Sequence, residues 1–191
     1  MEKTVTINGR EYRMRASALI PRLYRYRFRR DMIADMRRLQ KAYNKAMALP
    51  PDADEDAKLD AQFSALDLEI FENCAWLFMR HAGEDIPDTP DDWLDGIEGV
   101  FSVYEILPVV LDLWNGNMAT TSTAKKKIRS TVREPNGAMF MLRCAELNLS
   151  DEALCGMSMG MVYDMLTERA NDGETYPYRA TQEDIDRFFP V

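Results

Sequence analysis

The chain is short of the residues that most catalytic and metal sites need. Its 191 residues include one histidine, His81, and three cysteines, Cys74, Cys144 and Cys155, with no CxxC spacing. A single histidine excludes multi-histidine metal centres, and an odd number of separated cysteines is typical of a reducing compartment. Glycine-rich phosphate loops, the HExxH zinc signature and the GxSxG nucleophile elbow are also missing from the sequence. We therefore expect neither an enzymatic activity nor a cofactor.

Long apolar segments are missing too. The longest purely apolar stretches have a few residues, such as Val109-Val110-Leu111, whereas a membrane-spanning helix needs about 20. The first residues, Met1-Glu2-Lys3-Thr4, lack the apolar core of a secretory signal. Hydrophobic residues make up 46% and charged residues 29% of the chain, which excludes wholesale disorder. We expect a soluble cytoplasmic protein with no membrane partner.

What the chain does have is charge, and it is distributed unevenly. The formal net charge is −8, from 24 basic and 32 acidic residues. Residues 1–41 carry a net charge of +8, residues 42–120 of −14, residues 121–133 of +5 and residues 134–191 of −7. Such segregation indicates that the charged residues contact either a partner or one another within the fold. We expect the first two blocks to neutralise each other within one domain.

Residues 1–15 alternate between apolar and polar positions around a turn signal. Asn8-Gly9 lies between the two runs, and this pair accepts the positive φ angles of a type I′ hairpin turn. The apolar positions share one face of the predicted hairpin: Val5, Ile7, Tyr12 and Met14. A lone hairpin is unstable in water, so this face must pack on the helices that follow.

Helical periodicity dominates the rest of the chain. Apolar residues recur every three or four positions over 32–47, 63–78 and 103–114, and Thr89-Pro90 is a typical helix start. Further helices are predicted over 139–147, from Ser150, over 157–166 and from Thr181. The expected fold is mainly α, with an N-terminal β-hairpin packed on a small helical bundle, then a linker and a small all-α C-terminal domain.

One segment separates these helices into two groups. Residues 118–137 have no apolar period and many small polar side chains, which is typical of a linker. We predict a hairpin and helical domain over residues 1–118, a basic linker over 119–137 and a C-terminal helical domain over 138–191.

Three features carry weak chemical signals. His81 follows Phe78 on an apolar stripe at a helix end, where a cap or a packed imidazole is favoured over a catalytic base. The acidic residues around 84–98 lack the spacing of an EF-hand loop, which favours a solvated face over a metal site. The 13 methionines, several of them late in the chain, suit an adaptable binding groove or ordinary core filling.

The stretch Arg22–Arg30 interleaves arginines with aromatic residues. Such a pattern can pair phosphates and stack bases, and residues 150–166 have helix-turn-helix proportions, so a small nucleic-acid-binding regulator is one hypothesis. The alternative is internal, with arginine stems packed over aromatic rings. The two-residue spacing of Tyr24, Tyr26 and Phe28 also permits a strand. Because the chain is acidic overall, we favour the internal contacts over nucleic-acid binding.

Several stretches resemble the tail assembly chaperones of long-tailed bacteriophages. They are Phe28-Arg29-Arg30-Asp31-Met32 within residues 25–39, Phe101–Pro108 with Leu113-Trp114, Met157–Leu166, and Tyr178–Phe188. The last two resemble the extension found on the longer product of such genes, and they are the most specific.

The resemblance implies a function and partners. In that family a short protein and a longer frameshifted fusion keep the tape measure protein soluble while the tail tube protein assembles around it. Residues 1–118 would be the common domain and residues 138–191 the fusion-only domain, and the protein would be absent from the mature virion. Homo-oligomers, or association with the shorter form, are compatible with this role. The implied residues that recruit tube subunits are Leu142, Met161, Tyr163, Leu166, Phe188 and Phe189.

Lys125-Lys126-Lys127 is the predicted frameshift joint. Lysine is encoded by AAA or AAG, so three in a row imply a nearly pure adenine run of the kind on which a ribosome slips. A plain basic linker is the alternative, and AAG codons at 125 and 126 would count against slippage.

Overall fold

A computed structural model of the chain describes residues 1–48, 63–124, 133–173 and 182–188. It begins with an antiparallel hairpin of β1 (Glu2–Ile7) and β2 (Arg10–Arg15). Asn8 and Gly9 take φ angles of 49° and 81°, as the predicted turn requires. Val5 lies opposite Tyr12, and both are buried together with Ile7 and Met14. The predicted hairpin and its apolar face are confirmed.

Helices make up most of the remaining described residues. They are α1 (Ile20–Phe28), α2 (Met32–Met47), α3 (Ala65–His81), α4 (Pro90–Asp95), α5 (Val103–Met118), α6 (Gly137–Glu146), α7 (Asp151–Gly156), α8 (Met159–Asn171) and α9 (Gln182–Phe188). The predicted fold class, mainly α with an N-terminal hairpin, is confirmed. The strand alternative for Tyr24 to Phe28 is wrong: Pro21 in the first turn has the fixed φ angle of a helix start, and the segment is α1.

The helix starts follow from short polar side chains. Thr89 accepts a hydrogen bond from the Asp92 N–H, and Ser150 caps α7 in the same way, as their sequence contexts predict. At α3, Ser64 and Asp67 form a reciprocal capping box. The other side-chain caps are Asp31, Ser102, Asn136 and Ser158.

The centre of the fold is α3. It packs against β2, α1, α2, α4 and α5. Phe71, Cys74, Phe78 and Met79 on this helix are almost completely buried. A helix that is apolar nearly all round must be surrounded by other elements, and α3 is.

The C-terminal helices pack on the N-terminal ones. α6 contacts α1, α2 and α8, and α5 contacts α8. Buried residues of α6 to α8 belong to the same hydrophobic core as the hairpin and α3; they are Phe140, Cys144, Leu154, Met159 and Val162. The division into residues 1–118, 119–137 and 138–191 stays a prediction, but the described residues on its two sides share one core.

None of the helices within the described ranges is both long and apolar enough to cross a membrane.

Candidate partner-binding surface

The six residues predicted to contact a partner occupy different environments. Leu142, Met161 and Phe188 are 56%, 51% and 83% exposed. Tyr163 and Leu166 are partly buried and pack against the core. Phe189 and the predicted joint at Lys125–Lys127 lie outside the described residues.

Two of the exposed side chains lie on neighbouring helices. Leu142 is on α6 and Met161 on α8, and these helices pack against each other through Phe140 and Tyr163, whose ring centroids are 5.6 Å apart. Burial, with a smaller contribution from Cys144, raises the pKa of Tyr163. The structure therefore places Tyr163 between the two helices and leaves Leu142 and Met161 exposed to solvent.

Most of the methionines in the C-terminal part of the chain pack in or against the core. Met159 is completely buried, whereas Met139, Met141, Met157 and Met165 are partly buried. Met161 is the exception within this group, because it lies on the outer side of α8, while Met159 and Val162 point into the core. Core filling is thus the main role of these residues.

Asp164 on α8 holds the chain that leaves α5. Its carboxylate accepts the Thr121 N–H at 2.9 Å, the Thr121 hydroxyl at 2.8 Å and the Ser122 N–H at 2.9 Å. These donors, led by the Ser122 N–H, lower the pKa of Asp164. A second bond runs from Asn171 Nδ2 to the Thr123 carbonyl at 3.0 Å. The first residues of the predicted linker are therefore fixed to α8.

The start of α8 is joined to α5 and to the loop before α1. The buried Asn117 donates to the Ser17 carbonyl and accepts the Met159 N–H, both at 3.3 Å. Gly160 lies so close to Ala119 that a Cβ atom on it would overlap the Ala119 carbonyl oxygen. These contacts hold α8 firmly on the N-terminal part of the chain.

Further bonds secure α6 and α7. The Ala18 N–H donates to the Met157 carbonyl at 2.8 Å, and Arg15 donates to the Cys155 carbonyl at 2.8 Å. At the start of α6, the Gly137 N–H donates to Asp31 Oδ2 at 2.8 Å. The exposed apolar side chains on α6 and α8 therefore stand on a rigid support, which lowers the entropic cost of binding.

His81 is a packed imidazole. Its Nε2 atom lies 2.8 Å from the hydroxyl of Ser17, which is buried. Burial, then Arg15 and the N-terminal amine, lower the pKa of His81 to about 4, against a smaller opposing effect of Glu2. A serine beside a histidine can form a nucleophile pair, but Ser17 is buried. The geometry therefore matches the prediction that His81 is a packed imidazole.

The arginines of Arg22–Arg30 serve mainly internal contacts. Arg30 makes two hydrogen bonds to the buried Asp35, at 2.7 and 2.8 Å, and Tyr24 donates to the same carboxylate at 2.9 Å. Arg27 stacks over Trp76 at 5.3 Å from the ring centre. Other members are at the surface, where Tyr26 is exposed beneath the Arg29 guanidinium.

The described acidic, histidine and cysteine side chains do not form a metal site. No group of three or more of these described side chains converges to hold a metal ion. Cys74, Cys144 and Cys155 are free thiols, and burial raises the pKa of Cys144 to about 11, which keeps that thiol unreactive. In the acidic stretch, Glu84 pairs with Arg13 and Asp88 with Arg80, at 2.9 and 2.8 Å.

No protein-family model matches this chain, and neither curated proteins nor solved structures include a match to it.

Proposed function

We propose that the chain is a tail assembly chaperone of a long-tailed bacteriophage, which binds the tape measure protein and recruits tail tube subunits in the bacterial cytoplasm. The observation that carries the proposal is the exposure of Leu142, Met161 and Phe188 in the region that resembles the family's C-terminal extension. Groups of exposed apolar side chains mark binding surfaces for other proteins, and Leu142 and Met161 lie on helices that pack against each other.

The proposed mechanism is that of a holdase. A long helical partner exposes apolar stripes until its own assembly covers them, and apolar side chains on a second protein can cover such stripes meanwhile. Leu142 and Met161 provide apolar contact area on the α6–α8 pair, and the hydrogen bonds of Asn117 and Asp164 keep that pair in place. Binding of this kind needs no catalytic group.

Co-expression with a tape measure protein tests the proposal. We expect the wild-type chain to raise the soluble fraction of that partner several-fold, and the double variant Leu142→Asp/Met161→Asp to lose most of this effect, because charged side chains prevent apolar contact. Val100→Asp is the matched control, since Val100 is 76% exposed but lies in the loop before α5.

Point substitutions are better probes here than removal of residues 138–191. Deletion would strip cover from the shared core, so a loss of activity would report unfolding as much as lost binding. A soluble, folded double variant that still protects the partner would contradict the proposal, as would a wild-type chain without effect.

A nucleic-acid-binding regulator is the alternative proposal. It is favoured only by the exposed Tyr26 and Arg25 on α1, because Arg27 and Arg30 are engaged within the protein. A gel shift with a salt titration distinguishes the two, since binding through phosphates weakens steeply as salt rises. Steep, salt-sensitive binding that Arg25→Glu abolishes would favour the regulator.

A further inference from the structure

A small cavity lies between the turn of the N-terminal hairpin and the loop that follows α4. Its volume is about 270 Å³, and it is lined by Ile7, Asn8, Arg10 and Tyr12 on the hairpin side and by residues 96–98 on the loop side. Pockets for drug-sized ligands measure roughly 300–1,000 Å³, so this one suits a smaller molecule. Because a water molecule takes up about 30 Å³ of the liquid, the cavity has room for about nine non-hydrogen atoms. We call it the hairpin pocket.

Both walls of the hairpin pocket are held in place by the fold. The Ile97 N–H donates to the Leu94 carbonyl at 3.0 Å, which ties the loop to the end of α4. The two walls meet at Asn8, because a Cβ atom on Gly99 would lie 3.1 Å from the Asn8 side chain. A cavity with fixed walls needs little reordering to accept a ligand, which lowers the entropic cost of binding.

Arg10 is a charged residue on the apolar face of the hairpin. It lies opposite Ile7 and two positions before Tyr12, so these three side chains belong to the same face. Its guanidinium is 4.8 Å from the centre of the Tyr12 ring, and this contact holds it at the pocket. Arg10 forms no ion pair with any described residue. Its N–H groups can therefore donate to a bound carboxylate, which an arginine binds through two parallel hydrogen bonds.

The opposite charge lines the loop side of the pocket. Glu98 is exposed, and it forms no ion pair with any described residue, Arg10 included. An inorganic anion in the pocket would meet the like charge of Glu98, and a metal ion would meet that of Arg10. A small molecule with both a carboxylate and an ammonium group matches both side chains.

We propose that the hairpin pocket binds a free amino acid with an apolar side chain. Arg10 donates to its α-carboxylate, Glu98 accepts hydrogen bonds from its α-ammonium group, and the apolar part of the lining, which includes Ile7 and Ile97, covers its side chain. Leucine has a suitable size. Because both charged side chains are exposed to water, the contacts are screened, and we expect a Kd of about 1 mM. This site shares no residue with α6 or α8, so it is independent of the proposed chaperone function.

NMR spectra of the isotope-labelled full chain, titrated with L-leucine, test the proposal. We expect saturable shifts of the backbone amides that line the pocket. Arg10→Gln and Glu98→Gln each remove one charge, and each should weaken binding about ten-fold or more. Two controls should bind leucine like wild type: Glu11→Gln, an exposed acid on the opposite face of β2, and Arg25→Gln, an exposed base on α1. The spectra also verify that each variant is folded.

Two analogues of leucine show whether the ligand needs both charges. Isocaproate is leucine without its ammonium group, and isoamylamine is leucine without its carboxylate. We expect each to bind about ten-fold more weakly than leucine, or less. Either analogue binding as tightly as leucine would overturn the proposal, because the pocket would then recognise a single charge. So would the absence of shifts at leucine concentrations well above the expected Kd, or equal binding by wild type, Arg10→Gln and Glu98→Gln.

Discussion

At the scale of single residues, Asp35 is a buried carboxylate on α2 that binds Tyr24 of α1. It accepts hydrogen bonds from Tyr24 and Arg30, and it is almost completely buried. Removing one partner of such a cluster leaves the other polar groups without a partner in a poorly hydrated place. The Tyr24 hydroxyl, whose pKa burial raises, would be stranded most deeply.

We expect Asp35→Ala to lower the free energy of unfolding by about 2–4 kcal/mol. The matched control is Asp112→Ala, because Asp112 is exposed in its ion pair with Lys3, and such surface pairs contribute less than about 1 kcal/mol. Urea unfolding of both variants measures the difference. Equal losses in the two variants would contradict the role of the buried cluster.

Trp76 and Trp93, two of the three buried tryptophans, differ in their indole N–H groups. Trp76 donates to the Pro87 carbonyl at 2.9 Å, whereas the Trp93 N–H is buried without an acceptor among the described residues. Phenylalanine at either position removes similar volume, but Trp76→Phe also loses a hydrogen bond and weakens the stacking of Arg27 over the ring. We expect Trp76→Phe to cost about 1 kcal/mol more than Trp93→Phe in urea unfolding. The reverse order would show that Trp93 has a polar partner after all.

His81 makes the stability of the fold depend on pH. Its pKa is about 4 in the folded chain, below the value of about 6.5 expected when unfolded. The unfolded chain therefore binds the proton more tightly, and stability is lost as pH falls from 6.5 towards 4. Between pH 7 and pH 5 we expect His81 to account for a loss of about 2 kcal/mol.

The measurement compares wild type with His81→Gln at both pH values. Glutamine can keep a hydrogen bond to Ser17 but does not titrate, so the variant should lose less stability than wild type on acidification. A pH dependence that is the same in both proteins would contradict a buried neutral imidazole.

At the scale of elements, local patterns predicted the hairpin and most of the helices. Asn8-Gly9 and Thr89-Pro90 each determine a backbone geometry by themselves, so their elements could be read without knowledge of the fold. The alternation of aromatic residues from Tyr24 to Phe28 also suggested a strand. These residues lie in α1, where Tyr24 is buried and Tyr26 is exposed, so a helix produces the same pattern. Which pattern applies depends on Pro21 and on the packing partners.

The connection between α5 and α8 could not be predicted from sequence. Polar residues such as Thr121, Ser122 and Asp164 are typical of solvent-exposed segments, and only the fold brings them together across more than 40 positions. The one local signal is Gly160, a glycine within a helix, which indicates close approach of another backbone. Its neighbour is the main chain of Ala119.

The close approach at Gly160 leads to a prediction with an internal control. Gly160→Ala should destabilise the chain by more than about 2 kcal/mol, because its Cβ would displace the Ala119 backbone. Gly156→Ala, on α7, meets no atom within 4 Å and should be neutral or slightly stabilising. Thermal melts of the two variants decide this, and a wild-type melting temperature for Gly160→Ala would show that α8 does not sit tightly on the end of α5.

At the scale of the whole molecule, the charge segregation along the sequence becomes a set of contacts. Ion pairs join the basic first block to the acidic second block at Lys3–Asp112, Arg13–Glu84 and Arg38–Asp67, as the sequence predicts. Others run from the first block to the last, at Arg22–Asp151 and Arg37–Glu134. Ion pairs at the surface contribute little to the free energy of unfolding. Their main effect is to favour this packing of the charged blocks over other ways of packing them.

The candidate surface could be predicted only in part, because the exposure of a side chain depends on the whole fold. Apolar periodicity identifies which residues of α6 and α8 are hydrophobic, but it does not tell which of them the rest of the chain covers. Tyr163 packs on Phe140, and Leu166 is partly covered, while Leu142 and Met161 stay exposed. Among the described residues of the predicted set, this pair and Phe188 are the exposed ones.

Hydrogen–deuterium exchange of the full chain, alone and with a bound tape measure protein, tests the central claim most directly. A chaperone surface on the C-terminal helices predicts slower exchange around Leu142, Met161 and residues 182–188 in the complex, and no change around Val100. Unchanged exchange in all three regions, or protection confined to Arg22–Arg30, would contradict it.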